Sequence, residues 1–98
     1  MARMKYEIIL APEAVQDLKR LKAHERAEVK DALGRHLHHE PAKVSKSRIK
    51  RLRGLNNPRY RLRVGEIRVF YDIAGNHVEV LAIVSKSEAA SWLEEMGG

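Results

Sequence analysis

Arg61, Arg63 and Arg68 are spaced so that three guanidinium groups would share one face of a β-hairpin. Tyr60-Arg-Leu-Arg-Val64 alternates strictly, Gly65-Glu66 is a two-residue loop, and Ile67-Arg-Val-Phe-Tyr71 resumes the pattern. A loop of that length with glycine first is a type II′ turn signature, because its leading position needs positive φ. The predicted register pairs Val64 with Ile67, Leu62 with Val69 and Tyr60 with Tyr71 on one face. On the other face Arg63 lies across from Arg68, and Arg61 across from Phe70. Like charges directly opposite one another destabilise a sheet, so this arrangement makes sense with an anion between them. Guanidinium forks match phosphate oxygens and stay protonated at physiological pH. Phe70 beside them would offer a surface on which a base could stack. The chemistry this pattern suits is gripping a phosphate or an RNA strand.

The charge distribution agrees. The stretch from Lys43 to Arg68 holds ten of the nineteen Lys and Arg residues and one of the thirteen Asp and Glu residues, Glu66. The rest of the chain is mildly acidic. Charge concentrated in this way calls for an external anion, and a nucleic-acid backbone is the usual one. Lys50, Arg51, Arg53 and Arg59 are therefore expected to contact RNA around the hairpin. For Arg51 and Arg53, an edge strand protected by its own charge is the competing reading.

These residues need a frame. Tyr6 to Leu10 is a short β-prone run, stopped by Ala11-Pro12, and Pro12 suits the first turn of a helix. Val15, Leu18 and Leu21 give an apolar stripe over Glu13 to about Lys22. A second helix is predicted from His24 or Glu25 to His39, with Val29, Ala32, Leu33, His36 and Leu37 inward, and Pro41 ends it. The short link between the two predicts an antiparallel helical hairpin. Beyond the arginine hairpin, Ala74-Gly75-Asn76-His77 turns the chain into Val78 to Val84, which is apolar on both faces as in a central strand. A further short strand is possible over Lys50 to Leu55. Residues 87 to 96 read as a short helix, capped by Ser85 or Ser87, with Ala89, Trp92, Leu93 and Met96 on one side. Such a helix must pack on the domain or on a partner. The fold class is α+β: an N-terminal strand, a two-helix hairpin and a mainly antiparallel sheet in the order β-α-α-β-β-β, with a short C-terminal helix.

Ninety-eight residues make a single domain. A 44% hydrophobic and 33% charged composition fits a folded soluble chain, and the lack of cysteine removes disulfide and thiolate chemistry and suits the cytoplasm. Arg3, Lys5 and Glu7 near the start argue against a signal peptide, and no segment has transmembrane length. His36, His38, His39 and Glu40 resemble a metal cluster, but no second group completes a tetrahedral set. They are read as caps of a helix C-terminus, where imidazolium meets the helix dipole favourably. No cofactor is expected.

Arg51-Leu-Arg-Gly-Leu55, followed by Tyr60-Arg-Leu-Arg-Val-Gly-Glu-Ile-Arg-Val-Phe-Tyr71 and an apolar strand, resembles the RelE/ParE superfamily of type II toxins. Pro12-Glu-Ala-Val-Gln-Asp-Leu-Lys-Arg-Leu21 is similar to the family's first helix, and the likeness spans residues 5 to 85. The resemblance implies a toxin held by a cognate small acidic antitoxin. In the RelE branch it further implies metal-free cleavage of mRNA on the ribosome. Arg61 and Arg63 then stand where that branch carries lysines, Arg68 at its active-site arginine, and Lys86 near a cation after the last strand. Such cleavage needs the 2′-hydroxyl deprotonated, the phosphorane stabilised and the leaving oxygen protonated. Guanidinium serves the second need and is a poor base. The branch's C-terminal tyrosine has no counterpart here, where the chain reads Trp92-Leu93. Glu66 and His77 are the nearest candidate bases, each also readable as a solvated turn residue. Membrane contact is not expected, and DNA would be reached only through the antitoxin. Two alternatives stay open: a ParE-like inhibitor of DNA gyrase without nuclease activity, and a catalytically inactive RNA-binding member.

Overall fold

The computed structural model describes residues 5–53 and 58–97. Its elements are β1 (Glu7–Leu10), α1 (Pro12–Arg20), α2 (Ala23–Leu37), β2 (Ile49–Arg51), β3 (Tyr60–Val64), β4 (Ile67–Ala74), β5 (His77–Ser85) and α3 (Lys86–Gly97). Five strands form one sheet in the order β1-β5-β4-β3-β2. All pairings are antiparallel except β1 with β5. The short strand expected over Lys50 to Leu55 exists as β2, one residue earlier and ending at Arg51. Gly54 and Leu55 lie outside the described residues.

The helices lie where the apolar stripes direct them. α1 packs on β5 and β1, and α2 packs against β3. Ala14, Val29, Leu33 and Leu37 meet Leu62, Val69, Tyr71, Val78, Val80 and Ile83 in the core. α1 stops at Arg20 because Leu21 and Lys22 are extended. The carbonyls left open at its end are covered by Arg26 of α2, whose guanidinium donates to Leu21 O at 2.9 Å and to Leu18 O at 3.3 Å. Asp17 plays a comparable part for the sheet. Its Oδ2 accepts the Ile83 N–H at 3.0 Å, a donor that lies past the end of β1.

β5 is covered on both faces, as its two-sided apolar pattern requires. Val78, Val80 and Ile83 face the main core, whereas Ala82 and Phe70 are buried outside that cluster. An irregularity between Phe70 and Tyr71 leaves Leu81 unpaired, so that Ala82 meets Phe70 and Val80 meets Tyr71. α3 closes this second face by packing on β4 and β5. Its start is fixed by Ser85, whose Oγ donates to Glu88 Oε1 at 2.8 Å. Ala89, Trp92 and Leu93 are half-buried, while Met96, expected on the same side, is exposed.

Tyr71 anchors the chain after α2. It is fully buried and its hydroxyl donates to Pro41 O at 2.6 Å. Burial, with the neighbouring Tyr60 in second place, pushes its phenol pKa upward. Tyr71→Phe should cost about 1–2 kcal/mol, since a buried carbonyl loses its partner. A thermal melt should show this as a Tm lowered by roughly 5–10 °C, and an unchanged Tm would mean that water replaces the hydroxyl.

Candidate nucleic-acid interface

The hairpin of β3 and β4 has the register that its alternation predicts. Tyr60 pairs with Tyr71, Arg61 with Phe70, Leu62 with Val69, Arg63 with Arg68 and Val64 with Ile67. Gly65 turns the chain with φ of 58°, the left-handed value that glycine adopts without strain. Arg61, Arg63 and Arg68 consequently share the sheet face opposite the main core.

The three are not equivalent. Arg68 is only 8% exposed, and its Nη1 donates to Gly65 O at 2.8 Å and to Ile67 O at 3.1 Å. It braces the turn as well as contributing charge. Arg63 is exposed. Arg61 is half-buried, and its Nε is buried with no hydrogen-bond partner. Burial holds the Arg61 guanidinium below its ordinary range, and the charges of Arg68 and Arg63 add to the effect. Among the described residues no carboxylate forms an ion pair with any of the three. The face is a concentrated positive field with an unmet donor in it.

The residues expected around the hairpin divide. Lys50 pairs with Arg61 across β2–β3 and extends the arginine face. Arg51 does not belong to it. It pairs with Tyr60 on the opposite face, with its guanidinium carbon 5.8 Å from the Tyr60 ring centroid. The reason is parity, because neighbouring residues in a strand point to opposite faces. Arg53 is exposed just past β2, beside the undescribed segment 54–57. Arg59 precedes β3, and its backbone N–H is held by the Asp72 carboxylate. Lys86 opens α3 as an exposed residue, with its backbone N–H on Glu66 O at 2.7 Å. The backbone thus brings Lys86 to the turn end of the arginine face.

Phe70 overturns its expected role. It is on the arginine side, as the register requires, but it is 0% exposed. Trp92 of α3 stacks on it with ring centroids 4.8 Å apart and planes 9° apart. A base cannot stack on Phe70 while α3 is docked. The amphipathic pattern of residues 87 to 96 was the signal, but sequence spacing did not say which face of the sheet the helix would cover.

The candidate bases are also placed. Glu66 is exposed at the hairpin tip. His77 pairs with Ala74 at the far end of β4, roughly 20 Å from Arg68 along the strand, and lies 3.5 Å from Glu7. Tyr60 and Tyr71 stack on each other in the core. In the histidine cluster, His38 Nδ1 contacts Tyr6 O at 2.9 Å and His38 O accepts the Tyr6 N–H, so it closes the end of α2 onto β1. Among the described residues no group of three His, Asp or Glu side chains is arranged to hold a metal ion.

Comparison with known proteins adds the family. Residues 8–90 match the model of the ParE toxin of the type II toxin–antitoxin system parDE. No curated protein sequence matches the chain. Among solved structures, the chain is similar to a free-state mutant of the Escherichia coli toxin RelE, with a TM-score of 0.73 at 20% identity over 96% of this chain and 95% of that one. It is also similar to the RelBE2 toxin–antitoxin complex from Mycobacterium tuberculosis, with a TM-score of 0.71 at 26% identity, covering 86% and 94%. The archaeal RelE–RelB complex from Pyrococcus horikoshii gives 0.69 at 22% identity, covering 85% and 97%. The family match covers most of the chain, including both strands that carry the arginines, and the chain belongs to the RelE/ParE superfamily as a ParE-family toxin of a type II toxin–antitoxin system.

Proposed function

We propose that this toxin is a ribosome-dependent, metal-independent mRNA endonuclease acting through Arg61, Arg63 and Arg68. One observation carries the reading: three arginines share one sheet face without a carboxylate partner among the described residues, and one of them keeps a buried donor unfilled. In the cleavage step the 2′-hydroxyl gives up its proton to a base as its oxygen attacks the adjacent phosphorus in line. The bond to the 5′-oxygen breaks as that oxygen takes up a proton, leaving a 2′,3′-cyclic phosphate and a 5′-hydroxyl. The arginines bind the non-bridging oxygens, where charge accumulates in the transition state. Lys86 adds a cation at the turn end. The hairpin brings neither an imidazole nor a tyrosine hydroxyl to this face, and guanidinium is a poor base. A face that stabilises the phosphorane but lacks a strong base has reason to need a second macromolecule, and the ribosome supplies it.

The regulating partner in this reading is a small acidic antitoxin whose charge complements the basic face. The similar structures from M. tuberculosis and P. horikoshii are toxin–antitoxin complexes. The protein works in the cytoplasm, where translated mRNA is found.

A second reading, inhibition of DNA gyrase without cleavage, is favoured by the ParE identity of the matching family model. Two assays on the wild-type protein separate the readings. Primer extension on translated mRNA should reveal new 5′ ends within codons, and supercoiling by purified gyrase should proceed at stoichiometric toxin. Intact transcripts together with blocked supercoiling would reverse the assignment.

A further inference from the structure

We infer that the groove between α2 and the β2–β3 edge is a second phosphate site centred on Arg48, which holds the backbone of the same RNA beyond the hairpin arginines. The inference rests on the RNA reading above and extends it to a part of the surface that the hairpin does not include.

Two adjoining cavities form the groove, of about 300 Å³ and about 230 Å³. Arg35, His36 and Arg48 line both, so the two are continuous. Lys43 lies in the first and Arg63 in the second. Arg63 is also the residue opposite Arg68 on the hairpin. Arg63 thus borders both the hairpin face and the groove, and a strand that occupies both passes round the β2–β3 edge of the sheet.

Of the three acids lining the groove, Glu28, Asp31 and Glu40, the last two are occupied by its own cations. Asp31 pairs with Arg35 at 3.0 Å and Glu40 lies 3.6 Å from Lys43. Arg48 and Arg63 have no such partner among the described residues. The backbone of Arg48 is fixed from two sides. Ser45 Oγ accepts the N–H of Arg48 at 3.0 Å and that of Ile49 at 3.1 Å, and Arg48 O accepts the Arg63 N–H at 2.8 Å. Its exposed guanidinium thus springs from an anchored root, which lowers the ordering needed on binding. His36 also senses these cations: burial, then Arg48 and Arg35, hold its imidazole below the usual range. A phosphate in the groove would oppose that push. Cations (Arg35, Lys43, Arg48, Arg63) outnumber acids (Glu28, Asp31, Glu40) along the walls, and Ala32, Ile49 and Val64 are their only apolar side chains among the described residues. Such walls give little purchase to the apolar face that an amphipathic peptide helix lays into a groove, so a phosphodiester suits them better than an acidic helix.

The test uses the full-length protein with a fluorescently labelled uridine decamer at several salt concentrations. Arg48→Ala should weaken binding about three- to tenfold and lower the slope of log affinity against log salt by about one, while Arg48→Lys keeps the slope. In the wild type at fixed pH, the His36 imidazole resonance should move on adding the decamer, and this response should shrink in Arg48→Ala. Thermal melts matching wild type establish that the variants are folded, as the exposed position of Arg48 leads one to expect. Binding and salt slope unchanged in Arg48→Ala, with Arg61→Ala weakened, would overturn the groove and leave the hairpin reading standing. Loss in Arg48→Ala but not in Arg61→Ala would support the groove and remove the hairpin. A wild type that ignores the decamer yet shifts His36 with a decaglutamate peptide would overturn the phosphate assignment.

Discussion

Arg61→Ala should slow cleavage of translated mRNA by about 10²–10³-fold, the loss seen when one preorganised donor to a developing oxyanion is removed. Arg61 is the cleanest of the three arginines to test. Arg68 is bonded to the carbonyls of Gly65 and Ile67, so its loss would loosen the turn as well as the site. Among the described residues Arg61 braces none: its Nε is buried without a partner there and the charges of Arg68 and Arg63 oppose its own. Removing it relieves repulsion and an unmet donor, so the folded state should be as stable as wild type or more so. Activity falling while Tm holds or rises is the pattern of a residue retained for function. Single-turnover cleavage on programmed ribosomes and a thermal melt measure the two quantities. Equal cleavage by both proteins would remove the arginine face from the chemistry. A large fall in Tm would mean that Arg61 has a structural partner that its geometry does not show.

The hairpin was readable from sequence because two local signals agree. A two-residue loop led by glycine allows few registers, and the alternation on either side of it selects the one that puts every apolar residue from Tyr60 to Tyr71 except Phe70 on one face. The five observed pairs follow from this. The helices were readable to within two or three residues, since their ends depend on extended residues such as Leu21 and on Arg26 reaching back from α2. What sequence did not settle is non-local. β2 is three residues long, too short to declare which of Lys50 and Arg51 faces the arginines, and only its pairing with β3 decides. The cover over Phe70 depends on a helix more than fifteen residues later in the chain. The groove at Arg48 joins α2 to a loop and to the hairpin, and each part looks like an ordinary charged surface when read separately.

Phe70 shows what that non-local contact changes. Phe70→Ala should lower stability by about 3–4 kcal/mol, the range for emptying a fully buried aromatic site, and lower Tm by 15 °C or more, on the order expected for a domain of this size. It would also undock α3, because the stack with Trp92 secures a helix of about three turns that has little stability of its own. Trp92 is the only tryptophan in the chain, so its fluorescence reports docking directly. Emission should shift to the red in Phe70→Ala under conditions where circular dichroism still shows a folded sheet. Phe70→Leu separates packing from recognition, because leucine keeps an apolar filler under Trp92 but cannot stack on a base. If Phe70 serves packing, that variant loses a moderate part of its stability and binds RNA as wild type does. RNA affinity lost in Phe70→Leu, with Trp92 emission unchanged, would show that α3 lifts off during binding and that the ring is a stacking surface after all.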